Sequence, residues 1–199
     1  MGVEKTEAIL IGRTRYSETT LIVHWCSAEL GLFRTIAKGA LRPKSAFSGL
    51  LDLFVSADIR FSRARSSDLH TLVEARWITP RLGLRQSYGR VLAATYLVKL
   101  VELVVEPHAP LPEIHDLLSK ALDYLAEHDP SRALMERFEF RLAQDLGLVG
   151  PDTQATGLSA HAIEDSFHRP LPVQRRKLVE WIDARAGHGS GAAPGREHG

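Results

Sequence analysis

The apolar pattern of this 199-residue chain changes its period once, at Pro80, and that change restricts the fold to a sheet followed by helices. Before Pro80 the period is two. Leu53, Val55, Ala57, Ile59 and Phe61 are interleaved with Asp52, Ser56, Asp58, Arg60 and Ser62, and Leu69, Thr71, Val73, Ala75 and Trp77 repeat the alternation, as strands with one wet face require. Upstream, the β-rich runs Glu7–Arg13, Thr19–Trp25 and Leu32–Lys38 are separated by the turn-like stretches Arg15–Glu18 and Ala28–Gly31.

After Pro80 the period becomes helical. Ser87–Glu106 is apolar nearly all round and reads as a buried central helix. Ile114, Leu117, Leu118, Ala121, Leu122 and Leu125 form a one-sided stripe. Asp129-Pro130 has the form of an N-cap followed by proline, opening a helix whose stripe Leu134, Phe138, Leu142 and Leu146 ends at Gly147. A last helix is expected over Pro170–Arg185. The expected fold class is α+β. Five short strands, with the excursion Gly39–Leu51 between the third and fourth, fit a five-stranded Greek-key β-barrel of the OB type over residues 1–80, where a sandwich would want about seven strands. An all-helical domain follows over 81–186. Residues 187–199 contain no large apolar side chain and are expected to be disordered.

The excursion after the third strand carries the clearest functional signal. Lys38-Gly39-Ala40-Leu41-Arg42-Pro43-Lys44-Ser45 sets three cations on a backbone bent by Gly39 and stiffened by Pro43, which suits a repeating array of phosphates. A net charge of +1 hides an asymmetry. Residues 1–80 hold eleven Lys and Arg against eight Asp and Glu, while 81–186 hold thirteen against fifteen. Arg34 extends the basic track and Arg13 or Arg15 flanks it, so binding should weaken steeply with salt and discriminate little between sequences. Phe47, on the loop, is the candidate for base stacking. Tyr16 and Phe33 are further aromatic neighbours, and Trp25 shares the core alternation of Leu21 and Val23.

Catalytic chemistry finds no support in the spacing. Pro43 stands where a phosphate-binding P-loop needs glycine before its lysine, and it has no amide hydrogen to offer. His24 and Cys26 share a strand face, but two ligands do not make a zinc site, and the single cysteine excludes an internal disulfide. Glu136 and Glu139 read as surface polar residues, and Arg175-Arg176-Lys177 as a basic helix face that is solvated or touches DNA. No catalytic residue, metal or cofactor is expected. The start Met-Gly-Val-Glu-Lys has no apolar signal core and no run is long enough to span a bilayer, so the chain reads as cytoplasmic with no membrane partner.

The order of these features resembles a known family. Glu7-Ala8-Ile9-Leu10, Tyr16-Ser17-Glu18-Thr19, Glu29-Leu30-Gly31, the basic loop, Gly49-Leu50-Leu51, Leu69-His70-Thr71-Leu72-Val73-Glu74-Ala75, Arg137-Phe138-Glu139 and Leu146-Gly147 together are similar to the RecO family of bacterial recombination mediators, over about residues 4–150. The resemblance implies an OB domain joined to a helical domain, binding of single- and double-stranded DNA, annealing of complementary strands in DNA repair, action with RecR, and help in loading RecA onto DNA coated by single-strand-binding protein. It also implies a place at the nucleoid. Many members carry a four-cysteine zinc module after the segment matching Leu146–Pro151, whereas Asp152–His168 holds no cysteine here. Arg137 and Arg141 lie one turn apart beside an apolar stripe, and the resemblance makes them candidates for the acidic C-terminal tail of single-strand-binding protein. An OB-type RNA-binding module and a protein-interaction adaptor are the alternative readings.

Overall fold

Alternation along each strand of the first half puts one row of side chains inside a closed surface. The computed structural model, which describes residues 2–150 and 158–189, contains β1 (Val3–Arg15), β2 (Leu21–Ser27), β3 (Gly31–Ala37), β4 (Ser56–Ser62) and β5 (Leu69–Thr79). They close a barrel in the order β1-β2-β3-β5-β4, with β4 pairing back onto β1. Only the β3–β5 contact is parallel, and it is short, Arg34–Ile36 against Leu69–Thr71. This is the expected OB-type class. Leu10, Val23, Trp25, Phe33, Ile59 and Phe61 fill the interior, each contributing about 1.5–3 kcal/mol on burial. Trp25 is fully buried, and its Nε1–H donates to the Thr35 hydroxyl at 2.8 Å, so the indole's polar atom is satisfied.

One strand starts later than its alternation predicts. Phe54 adopts φ 69°, and Phe54 and Val55 are both buried, so the period-two pattern begins in earnest only at Ser56. Leu10 brackets this kink, donating to Val55 O at 2.9 Å and accepting from Phe54 N at 2.7 Å.

The second half holds α1 (Tyr88–Val104), α2 (Pro112–Glu127), α3 (Arg132–Asp145), α4 (Leu158–Phe167) and α5 (Gln174–Gly189), preceded by a 3-10 turn at Leu82–Gln86. Several details differ from expectation. The cap of α3 is Ser131, whose hydroxyl accepts from Leu134 N at 3.2 Å, while Asp129 is drawn away to Arg90. α4 was not anticipated because Ser159 and Ala160 supply much of its buried face, with Ile163 as its one large buried side chain. α5 runs to Gly189, so residues 187–189 are helical and not part of a disordered tail; the rest of that expected tail, 190–199, lies outside the described residues.

Glu139 is an interior residue and not the surface polar residue its sequence context suggests. It is fully buried, accepting from Tyr96 Oη at 2.5 Å and bidentately from Arg175 at 2.8 and 3.1 Å, which ties α3 to α1 and α5. Arg175 therefore belongs to an internal ion pair and not to a solvated basic face.

Three sets of contacts fix the halves against each other. The helical core takes Ile9, Ile11, Cys26 and Phe54 from the outer surface of the barrel. At the β2–β3 turn, Leu32 O accepts from His108 N at 3.0 Å and Ala28 O from Leu111 N at 2.9 Å. A side chain at Gly31, φ 69°, would place its Cβ 2.1 Å from Ala109 O, so only glycine permits this approach. Arg81, buried, donates to Asp123 at 2.6 Å, Phe54 O at 2.8 Å, Ser56 Oγ at 2.9 Å and Ser119 Oγ at 2.8 Å.

Arg81→Met is expected to cost roughly 3 kcal/mol or more, because Phe54 O and Ser56 Oγ lose their charged donor inside the structure; the urea midpoint measures this. The fold also predicts acid sensitivity. Burial holds His24, His70 and His115 below the ordinary imidazole value of 6.5. His70 stacks on Phe61 and its Nδ1 accepts from Ala64 N, while His115 Nε2 is buried without a partner among the described residues. The unfolded chain takes up protons first, so this stability is complete above pH 6.5 and is lost as pH falls through the depressed folded values. Melting temperature should drop between pH 7.5 and 5, and His70→Phe should flatten that drop.

Candidate nucleic-acid interface

The basic loop is a ladder of tight turns. Arg42 N donates to Gly39 O at 3.1 Å, Ser45 N to Arg42 O at 3.0 Å and Ser48 N to Ser45 O at 3.1 Å, with Gly39 at φ 70° supplying the first reversal. Leu41 N donates to Thr19 O at 3.0 Å, which ties the loop to the β1–β2 turn. At its far end the loop is held by Trp77 Nε1 on Leu50 O and Arg13 Nη1 on Leu51 O, both at 2.6 Å. Asp52 pairs with Arg85.

These restraints leave the cations free. Lys38, Arg42 and Lys44 are exposed, and among the described residues no ion pair reaches them, nor Arg15 or Arg34. Arg15 donates to Ser17 O and Glu18 O and so stiffens the β1–β2 turn while staying exposed. Arg13 is spent differently, as an anchor for the loop's backbone.

Arg34 lies at the other end of the same outer face. In β3, Phe33, Thr35 and Ala37 point inward while Arg34 and Ile36 point outward, so Arg34 and Lys38 are separated by about 13 Å along the chain. Opposite Arg34 is His24, and Ile22 faces Ile36. The outer surface of β2 and β3, with Ile22 and Ile36 half-buried, is the surface on which OB barrels hold oligonucleotides. Sequence reasoning missed Arg65, exposed in the β4–β5 connection beside Arg63, whose guanidinium is taken by Glu4. The run Arg63-Ala-Arg65-Ser-Ser between two alternating stretches carried that signal.

The aromatic residues divide sharply. Phe47 is half-buried against the barrel core, whereas Tyr16, at the β1–β2 turn, is 64% exposed. Cys26 lies in the shared core with its thiol pushed up to about 12 by burial, and no cluster able to hold a metal exists among the described residues.

Arg137 and Arg141 border a groove of about 700 Å³ between α2 and α3, walled by Leu117, Tyr124, Leu134 and Phe138. Glu139 points away to Arg175, and Arg141 reaches only Gln144 at 3.4 Å. The groove thus sets two exposed cations at an apolar trough. Asp145, at its edge, has its carboxyl raised by burial.

The two halves of the chain match the family descriptions of the recombination protein O N-terminal domain, over residues 1–81, and C-terminal domain, over residues 85–174. The chain belongs to the RecO family. It is 31% identical over 140 residues to the DNA repair protein RecO of Syntrophus aciditrophicus, covering 70% of this chain and 54% of that one. It is 29% identical over 171 residues to that of Neisseria gonorrhoeae, covering 85% and 67%, and 30% identical over 140 residues to that of Idiomarina loihiensis, covering 70% and 59%. The match thus spans between about half and two thirds of these RecO relatives' own length. Among the described residues no helix is long and apolar enough to cross a membrane.

The two roles of arginine in this RecO-family barrel are separable. Arg42→Ala should leave the unfolding free energy from urea titration within about 0.5 kcal/mol of wild type, as at surface positions away from ion pairs. Arg13→Ala should lower stability by about 1 kcal/mol through the unpaired Leu51 carbonyl.

Proposed function

We propose that this chain is a non-enzymatic DNA-binding recombination mediator that holds single- and double-stranded DNA on the barrel, anneals complementary strands, and acts with RecR to assist RecA loading. The observation that supports this reading is the set of exposed cations at Lys38, Arg42 and Lys44, with Arg15 beside them and Arg34 along the outer face, none of which the fold spends on a carboxylate among the described residues. Unpaired cations on an ordered loop release counterions from a phosphate backbone at little conformational cost. They contact phosphates and leave base edges open, so a bound strand stays competent to pair with its complement and annealing needs no energy source.

The barrel, residues 1–80, would carry the nucleic acid, and the helical part, 81–186, the protein partners. The trough between α2 and α3 suits an acidic peptide with an apolar terminus: Arg137 and Arg141 at the rim would meet carboxylates, and Leu117 and Phe138 would take the apolar end. The C-terminal tail of single-strand-binding protein has that chemistry. The setting of these events would be the bacterial nucleoid.

Fluorescence anisotropy with labelled oligonucleotides across a salt series tests the proposal. Lys38→Glu combined with Arg42→Glu should weaken DNA binding, and on a single strand should flatten the dependence of log affinity on log salt by about 1.4 in slope, the share of two phosphate contacts. Melting temperature should stay near wild type. An intact wild-type protein without salt-dependent DNA binding would reject the proposal.

A further inference from the structure

The β1–β2 turn presents an aromatic ring where the fold has no use for one. Of the seven aromatic residues in the barrel half, Trp25, Phe33, Phe54 and Phe61 are buried and Phe47 and Trp77 are half-buried, Trp77 donating to Leu50 O; Tyr16 alone is mostly exposed, at 64%. Its backbone is not loose. Tyr16 N donates to Thr20 O at 2.9 Å and Ser17 N to the same oxygen at 3.3 Å, while the Arg15 guanidinium braces Ser17 O and Glu18 O. Leu41, 45% exposed, stands on the segment whose N–H is bonded to Thr19 O, so a second apolar side chain is held at the same turn. The same turn and the loop tied to it carry Arg15, Lys38, Arg42 and Lys44, all exposed and none in an ion pair among the described residues.

Resting on the DNA-binding reading above, we propose that Tyr16, with Leu41 held at the same turn, is a stacking platform for an unpaired base of single-stranded DNA, and that this platform adds affinity for single strands that duplex does not gain. The surrounding charge selects a polyanion, and the apolar island at its centre selects one whose bases are free. In a duplex both faces of each base are already covered by neighbours, so duplex gains from the cations but not from Tyr16. The half-buried position of Phe47 against the barrel core moves the stacking role from the loop to the turn.

Wild type, Tyr16→Ala and Tyr16→Phe are compared by anisotropy on a labelled oligo-dT strand, an abasic strand of equal length, and a duplex of equal length, each across a salt series. Tyr16→Ala should weaken oligo-dT binding about tenfold, the size of one lost base–aromatic contact. It should leave the abasic strand and the duplex within about twofold, with the salt slope on oligo-dT unchanged. Tyr16→Phe should restore oligo-dT binding. Wild-type affinity of Tyr16→Ala for oligo-dT, or an equal loss on all three probes, overturns the inference while leaving the DNA-binding reading intact. Tighter wild-type binding of a matched oligo-U RNA strand overturns DNA as the occupant. Failure of wild type to bind any probe overturns both readings together.

Discussion

The buried guanidinium of Arg81 is the interaction on which the arrangement of the two halves depends. It sits in a left-handed backbone conformation, φ 47°, at the junction between β5 and the helices, and a cation removed from water there is tolerable only because its donors are used. Its partners come from opposite sides: Phe54 O and Ser56 Oγ from the entrance to β4, Ser119 and Asp123 from α2. Arg90 does similar work one layer away, donating to the Ala126 and Glu127 carbonyls at the C-terminal end of α2, where the helix leaves acceptors without intrahelical partners. Together with Glu139 and Arg175, these residues give the interior paired charges whose loss would strand a partner in the protein.

Because Arg81 fixes Phe54, it also fixes the point at which the basic excursion re-enters the barrel. The excursion is pinned at its start by Leu41 on Thr19 and near its end by Trp77 and Arg13 on consecutive carbonyls. Every one of these restraints uses a backbone atom or an uncharged ring nitrogen of the loop's surroundings, or an arginine outside the cluster. The loop is therefore ordered without drawing on Lys38, Arg42 or Lys44. Mutual repulsion among them is a small penalty, about 0.5 kcal/mol per pair at a separation of roughly 8 Å in water and less in salt, so the fold tolerates the cluster.

Legibility in the sequence followed the range of the interaction that decides each feature. The five strands and the central helix were readable because period-two and near-continuous apolar patterns are local, and the loop cations were readable because solvent exposure of a Gly- and Pro-bent basic run needs no distant partner. Glu139 was misread because what buries it, Tyr96 and Arg175, lies 43 and 36 residues away and carries no periodic signal. The cap of α3 was displaced by one such distant partner, Arg90 on Asp129, leaving Ser131 to do the capping. Phe47 and Tyr16 differ only in whether a neighbouring core accepts the ring, which loop sequence does not disclose.

A separation of labour among like residues follows from this architecture. An arginine that donates to several acceptors, as Arg81 and Arg90 do, strands those acceptors when it is removed and is poorly placed to let go of its partners for a ligand. An exposed lysine or arginine without a carboxylate contributes little to folding, and its whole electrostatic capacity is open to an incoming polyanion. Conditions that weaken one set need not weaken the other: added salt would screen the loop cations, which face water, far more than the buried Arg81 guanidinium or the buried Glu139 carboxylate and its Arg175 partner. The barrel and helices that position the loop would thus stay in place at ionic strengths that screen the loop cations.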